Sequence, residues 1–259
     1  MANDVIKTRN QYVAKSNDLV RKSRYSLTNQ QQKIILYYIS MIKPDDEPHQ
    51  RYTARINDIG KACGLDMSGQ GFYYQALRDD IIELTRREWV QLGDGIEGTV
   101  SWFNDVMLDR DANAVSVTFH PLMAPHLFDL RGRYTQYQLG IVLAMRGKYS
   151  IRLYEYIRSH VNEQSAHKNK VDVQVGCELS ELRSLLSADK YTLWHDFHRY
   201  VIVPAVDEIN NCDDTIHVEV DWLKNGRTVT RVLFYITDAR AGQALHAQET
   251  RRKRLYKHG

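Results

Sequence analysis

The sequence predicts an α+β fold of two tandem winged-helix domains, each a helix-turn-helix followed by a β-hairpin wing. One order of predicted elements occurs twice along the chain, and no strand-helix-strand alternation typical of a parallel sheet is found. The length of 259 residues suits one large domain or two ordinary ones, so the prediction of two domains rests on the repeat. We expect domains at 25–140 and 141–238, between a basic N-terminal arm (1–24) and a basic C-terminal tail (239–259).

The first half begins with a clear helix signal. Thr28 and Gln31 form a capping box, and apolar residues recur at helical spacing until Pro44. The elements predicted after it are a strand over 52–56, a short helix capped by Asn57, a longer helix over 70–87, and a hairpin with its turn at 109–113.

The second half repeats this order after a connecting region over residues 121–146 that looks helical in parts. Its predicted elements are a helix from 151, a strand over 171–175, a short helix over 179–186, a long helix over 191–211, and a hairpin over 216–236. Asn225-Gly226 predicts a type I′ turn in that hairpin. Pro204 lies inside the long helix, so we expect a bend there.

The long helix of the second half has a polar face suited to DNA. Steps of about 100° per residue put Tyr191, His195 and Arg199 on one arc, opposite a packing side of Phe197, Val201 and Pro204. The candidate groups for base or phosphate contacts are Lys190, Tyr191, His195, His198, Arg199 and Tyr200. An ordinary amphipathic helix with a solvated polar face is the alternative, and Asp196, which repels phosphates, favours it.

Cations surround the turn of the second hairpin, as expected of a wing that contacts the sugar-phosphate backbone. The candidate residues there are Lys224, Asn225, Arg227 and Arg231. In the first half, Gln70, Tyr73 and Arg78 are candidates for a second groove, although an acidic helix also suits an interaction or scaffold domain. We expect each half to supply a polar helix face and a cationic β-loop that grip successive turns of one duplex.

No catalytic, metal or cofactor site is predicted. The sequence has no GxxxxGK[ST] loop for ATP and no His-hydrophobic-His pair of the kind that DNA-nicking initiators use. Cys63, Cys177 and Cys212 are far apart and are expected to be buried or half-buried thiols. The longest apolar runs are too short to cross a membrane and no secretion signal is found, so we expect a cytoplasmic protein.

The basic ends of the chain also suit a polyanionic partner. From Arg240 to Gly259 there are six Lys or Arg residues and one Glu. The cluster at 251–254 either binds phosphates or is a solvated end, and both interpretations remain open.

Several short segments resemble the initiator proteins of theta-replicating, iteron-bearing plasmids. They are Tyr25-Ser26-Leu27-Thr28, Lys148-Tyr149-Ser150-Ile151-Arg152-Leu153-Tyr154-Glu155, Asp196-Phe197-His198-Arg199, Pro204-Ala205-Val206-Asp207-Glu208-Ile209-Asn210 and Gly226-Arg227. The resemblance covers about residues 17–238. Initiators of this family usually have several consecutive basic residues after the Asp-Phe pair, where this chain has His198, Arg199 and Tyr200.

The resemblance implies a bacterial, plasmid-encoded protein whose monomers bind direct-repeat iterons in double-stranded DNA. It further implies origin opening, recruitment of host helicase and initiator proteins, plasmid copy control, and repression of the protein's own promoter by a homodimer on an inverted-repeat operator. A winged-helix transcriptional repressor without an initiator role and an origin-nicking relaxase are the alternative functions.

Overall fold

The computed structural model describes residues 11–65, 72–86, 88–93, 96–168 and 172–238. Two three-stranded antiparallel sheets, each packed with helices, form the framework of these ranges. One hydrophobic cluster runs through both halves, so the two halves share a continuous core.

The first half contains a winged-helix domain with an additional hairpin. Its elements are β1 (Tyr12–Ser16), α1 (Asn17–Arg21), α2 (Asn29–Ile39), β2 (Tyr52–Arg55), α3 (Ile56–Ala62), α4 (Phe72–Glu83), β3 (Glu88–Gly93), β4 (Ile96–Val100), β5 (Phe103–Asp109) and β6 (Ala114–Phe119). Helices α2, α3 and α4 contact one another, and the sheet has the order β2-β6-β5. The β5–β6 hairpin is the wing. Thr28 and Gln31 form the predicted capping box at the start of α2.

The short helix α3 differs from the prediction in its first turn. It begins at Ile56 with Arg55 at the N-cap position, so Asn57 is not the cap. Ile56 is buried and donates its N–H to the Asn113 carbonyl (2.9 Å), so the chain passes directly from strand to helix.

Two other elements also differ. Helix α4 ends at Glu83, earlier than the predicted 87. The β3–β4 hairpin was not predicted, because glycines interrupt its short strands and weaken the alternating pattern.

The second half repeats the helix-strand-helix-helix-hairpin order, which confirms the predicted tandem winged helix. The connecting region before it contains a 3₁₀ turn (Pro121–Met123), α5 (Ala124–Leu127), β7 (Tyr134–Gln138) and α6 (Leu139–Ala144). The elements of the second half are α7 (Ser150–Lys168), β8 (Asp172–Glu178), α8 (Leu179–Leu185), α9 (Trp194–Phe197), α10 (Val203–Cys212), β9 (Ile216–Asn225) and β10 (Thr228–Asp238). The sheet order is β8-β10-β9, with β9 and β10 as the wing.

The segment predicted as an N-terminal arm is folded from Tyr12 onward. Strand β1 pairs antiparallel with β7, which lies in the connecting region that was expected to be partly helical. Val13, Leu19 and Val20 are buried in the core. Because these apolar residues pack inward, the basic residues around them belong to the protein body. The limits of 25–140 and 141–238 for the two domains remain predictions.

A buried charge network joins the first half to α7. The Glu155 carboxylate accepts from Lys15 Nζ (2.5 Å) and from the hydroxyl of Tyr137, and both charged side chains are at most 2% exposed. Arg152, one turn earlier, donates to Tyr25 Oη (2.7 Å) and to the Ser23 carbonyl (3.0 Å). Burial and the nearby Glu155 charge raise the pKa of Tyr137, so its phenol keeps its proton and donates. The 148–155 motif therefore orients α7 against β1 and β7.

A second buried cluster ties α7 to the end of α10. The Asp213 carboxylate accepts from Tyr154 Oη (2.8 Å), from Arg158 and from the Thr215 backbone N–H (2.9 Å). Burial by itself raises the pKa of Asp213, but Arg158 and the Thr215 hydrogen bonds outweigh it and hold the pKa below its usual value. Asp213 therefore stays ionised and paired at neutral pH.

Replacing Glu155 with Gln tests the first network. The substitution leaves the Lys15 ammonium buried without a counter-charge, so we expect a loss of about 3 to 5 kcal/mol in the free energy of unfolding, measured by urea denaturation. Glu83→Gln, in an exposed pair with Arg86, is the control and leaves that free energy unchanged within error. Equal stability of wild type and Glu155→Gln would contradict this role.

His160 on α7 makes stability depend on pH. Burial, and then the charge of Arg21, lower the pKa of His160 to about 4, while Glu163 raises it. An unfolded histidine has a pKa of about 6.5, so between these values the unfolded state binds a proton that the folded state does not. Stability is thus complete above about pH 6.5 and falls as the pH drops towards about 4.

We expect this effect to remove about 1 to 2 kcal/mol between those pH values, allowing for the partial exposure of the ring. His160→Gln flattens the dependence in urea denaturation at a series of pH values. His49→Gln, at an exposed position, is the control and keeps the wild-type slope. A wild-type slope in His160→Gln would refute the assignment.

Candidate nucleic-acid interface

A π-helical segment (His198–Ile202) joins α9 to α10, so one helical run covers residues 194–212. Pro204 has no N–H to donate within the run, and the preceding N–H of Val203 bonds to the His198 carbonyl five residues back. The wide turn accommodates the proline at the place where a bend was expected. It also changes the packing side: Pro204 is exposed, while the buried residues are Phe197, Val201, Ile202, Ala205, Val206 and Ile209.

The helix begins at Trp194, three residues later than predicted. Tyr191 lies before it, in a turn, and its backbone N–H donates to the Ala188 carbonyl (3.0 Å). The predicted helical arc of Tyr191, His195 and Arg199 is therefore wrong, because Tyr191 is not on the helix.

Ring contacts nevertheless bring several candidate residues to one surface. Tyr191 stacks on Tyr200 with centroids 6.3 Å apart and an interplanar angle of 27°. Lys190 Nζ lies 5.0 Å from the Tyr191 ring centre, and the Arg199 guanidinium 5.3 Å from that of Tyr200. Arg199 and Tyr200 are exposed. The result is a surface of alternating aromatic rings and cations beside the start of the helix.

The two histidines of the helix differ in environment. His195 is exposed, and its Nδ1 lies 3.1 Å from Asp196 Oδ1. His198 is half-buried between Trp194 (5.2 Å between ring centres) and Trp222 (5.1 Å). Burial, and then His195, lower the pKa of His198, so it is neutral at pH 7. His198 therefore packs the helix against the wing. The exposed polar side chains on this part of the helix include those of His195 and Arg199.

The wing is fixed to the helix through tryptophan. Trp222 on β9 contacts Trp194 with ring centres 5.3 Å apart. At the tip Asn225 pairs with Thr228, which leaves Gly226 and Arg227 as a two-residue loop. Of these two loop residues, Gly226 alone has a left-handed backbone (φ 61°), a pattern that fits a type II′ turn and not the predicted type I′ turn. Lys224, Asn225 and Arg227 are exposed there.

Arg231 is separated from these groups. The buried side chain of Val232 lies on one face of the sheet, and Arg231 lies on the other face. The Nε of Arg231 is 3.5 Å from Glu178 Oε1. Because successive residues of a strand point to opposite faces, Arg231 faces away from the helical run.

The candidate residues of the first half are not shown to form one surface. Gln70 lies outside the described residues, and Tyr73 is in the first turn of α4. Arg78 is half-buried, with Nη1 3.3 Å from Asp79 Oδ1, and it lines a groove of about 500 Å³ between α4 and β5.

The expected cationic loop is absent from the first wing. Its tip carries Asp109 and Asp111 with Arg110 between them. The expectation of one cationic β-loop per half is therefore wrong for the first half, and only the second wing has a basic tip.

Four residues of this surface were missed from the sequence. Trp194 and Trp222 join helix and wing, while Lys148 and Tyr149 reach it from the loop before α7. Tyr149 contacts Tyr191 with ring centres 6.3 Å apart, and Lys148 Nζ lies 5.6 Å from the Tyr149 ring centre. The Lys-Tyr pair at the start of the 148–155 motif was the available signal, because neither residue extends the apolar stripe of α7.

Within the described ranges, no three His, Cys, Asp or Glu side chains are grouped so that they could hold a metal ion. Cys63 and Cys177 are buried and Cys212 is half-buried, all as free thiols. No helix in this part of the chain has the length and apolar character needed to cross a membrane.

Two family descriptions match most of the chain. "Initiator Replication protein, WH1" matches residues 12–158, and "Initiator Rep protein, WH2" matches residues 178–236. This chain belongs to the replication initiator protein family. The initiator is 24% identical over 231 residues to a replication initiation protein of Escherichia coli, an alignment that covers 86% of this chain and 69% of that protein.

The initiator also resembles a solved structure, that of Pi initiator protein in complex with iteron DNA. The TM-score is 0.64 at 19% sequence identity, and the match covers 89% of this chain and 98% of that one. At this identity the likeness establishes the fold. It agrees with the WH1 and WH2 matches and confirms two winged-helix domains.

Proposed function

We propose that this initiator binds direct-repeat iterons in the double-stranded DNA of a plasmid origin, with its second winged-helix domain reading the bases. One observation carries the proposal: the Trp194–Trp222 contact fixes a polar helix and a basic wing as one unit. A winged helix binds DNA with its helix in the major groove and its wing on the backbone. The structure of Pi initiator protein with iteron DNA supports the same use of this fold.

The proposed contacts divide by position. Arg199 is exposed near the start of the helix and is assigned to a guanine edge, while the wing residues Lys224, Asn225 and Arg227 are assigned to phosphates. Arg199 lies beside Tyr200, Tyr191 stacks on Tyr200, and Lys190 lies beside Tyr191. Lys190, Tyr191, His195 and Tyr200 are proposed to contact the same groove, while His198 packs the helix against the wing. Gln70, Tyr73 and Arg78 are proposed to contact an adjacent groove. Arg231 is left out because it faces away.

The wider role is proposed from family membership. Monomers bind the iterons, open the duplex and recruit host helicase and initiator proteins, and homodimers bind an inverted-repeat operator and repress the gene. The protein would act in the bacterial cytoplasm, without catalysing a reaction itself.

Two substitutions in the second domain separate base reading from phosphate binding. Arg199→Ala should reduce discrimination between cognate and random duplexes by about 1 to 3 kcal/mol. Lys224→Ala should weaken binding to both duplexes alike and flatten its salt dependence. Arg231→Ala is the control and should leave both quantities unchanged in salt-dependent binding assays. Equal loss of discrimination in Arg199→Ala and Lys224→Ala would contradict this division.

The initiator role is tested in cells and by footprinting. The gene, supplied in trans, should maintain a replicon that carries the origin but lacks the gene, and footprinting of the flanking DNA should show evenly spaced, protected direct repeats. A protein that occupies an operator without maintaining the replicon would be a transcriptional repressor. Magnesium-dependent nicking of a supercoiled origin by the pure protein would establish a relaxase instead.

A further inference from the structure

We infer that the loop over residues 146–149, directly before α7, is an additional DNA contact, in which Lys148 and Tyr149, beside Lys190 and Tyr191, bind phosphates of the duplex. These phosphates would lie between the stretch of DNA bound by the first domain and the stretch bound by the second. The inference rests on the proposed binding of duplex DNA, and it adds two residues of the 148–155 motif to the interface.

The loop is held rigidly from both sides. On the side of α2, Asn29 Nδ2 donates to the Gly147 carbonyl (3.0 Å) and Gln32 Nε2 to the Lys148 carbonyl (3.0 Å). On the side of α10, Glu208 accepts from the backbone N–H groups of Arg146 (2.5 Å) and Gly147 (2.8 Å).

A Cβ at position 147 would lie 2.9 Å from Glu208 Oε2 and closer still to Ser150 Oγ, so a larger residue there would displace these two side chains. A loop held in one conformation offers its side chains without a large cost in ordering them on binding.

The loop presents positive charge that the described residues do not neutralise. Lys148 is exposed and its Nζ donates to Ser26 Oγ (3.3 Å); within these ranges it has no carboxylate partner. Lys190 likewise has none, and its ammonium lies over Tyr191. Because Tyr149 contacts Tyr191, the two ammonium groups flank one pair of rings. Two such cations attract the phosphate backbone and release its counterions on binding.

The geometry favours phosphates over unpaired bases. The Tyr149 and Tyr191 rings meet edge to face at 78°, and Tyr191 is stacked on Tyr200. Lys148 Nζ lies 5.6 Å from the Tyr149 ring centre and Lys190 Nζ 5.0 Å from that of Tyr191, so a stacking base would compete with an ammonium group at each ring. Burial, and then Tyr191, which is also its hydrogen-bond partner, raise the pKa of Tyr149, so its hydroxyl keeps its proton at neutral pH. The groups that remain to meet phosphate oxygens are this hydrogen-bonded pair of hydroxyls and two ammonium groups.

The position also suits a bridging contact. Lys148 touches Ser26, which precedes α2 of the first domain, and Tyr149 touches Tyr191, which precedes α9 of the second. A duplex bound to both domains would pass over this loop.

The test uses the full chain and two duplexes: the shortest segment that the wild-type protein protects, and a scrambled duplex of equal length. Lys148→Gln should weaken binding to both about 3- to 10-fold and reduce the slope of log affinity against log salt by about 1, with discrimination unchanged. Tyr149→Phe keeps the ring packing and should weaken binding without changing the slope. Lys43→Gln is the matched control, an exposed lysine beyond the opposite end of α2, and should bind as wild type does.

Wild-type affinity and slope in Lys148→Gln on both duplexes would overturn the inference. So would a loss confined to a single-stranded oligonucleotide, because the loop would then serve unpaired DNA. The scrambled duplex needs no origin sequence, so it tests Lys148 even if footprinting finds no protected repeats. Failure of the proposed function would show in the wild type alone, as the absence of any preferred site.

Discussion

The buried carboxylate of Glu155 fixes helix α7 against strands β1 and β7. A desolvated carboxylate costs several kcal/mol unless charges and hydrogen bonds compensate it. Its partners here come from other elements, Lys15 from β1 and Tyr137 from β7. These strands can therefore pack on α7 in only one way that satisfies the charge. This geometric requirement adds to the shared apolar core in fixing how α7 lies against β1 and β7.

That orientation has consequences for the DNA interface. A duplex that contacts both domains must match the spacing which the rigid connection imposes, because α2 and α10 clamp the loop over residues 146–148. The two domains are nevertheless unequal. The second has a basic wing joined to its helix by tryptophans, whereas the first has an acidic wing tip. Under the proposed function, the second domain is therefore the one that reads the bases.

In the second domain, the π-helical segment changes which side chains are exposed to solvent. A wider turn moves the following residues around the helix axis. Phe197 and Val201 stay buried on one side, while Arg199 and Tyr200 in between both reach solvent. A proline that would destabilise a regular helix is accommodated at the same time. The wide turn therefore both accommodates Pro204 and places the proposed base-reading group.

The sequence by itself determined the repeated order of elements, the capping box at Thr28 and Gln31, and the strands of both wings. Those features follow from local periodicity, because the side of an element that is buried shows in the spacing of its apolar residues. Tertiary structure alone decided that β1 pairs with β7 and that Lys15 is buried. It also decided that Tyr191 joins the surface of aromatic rings and cations through Tyr149 and Tyr200, not through a helix. These outcomes depend on partners far away in the chain, and a buried charge or a ring contact leaves no periodic signal in its own segment.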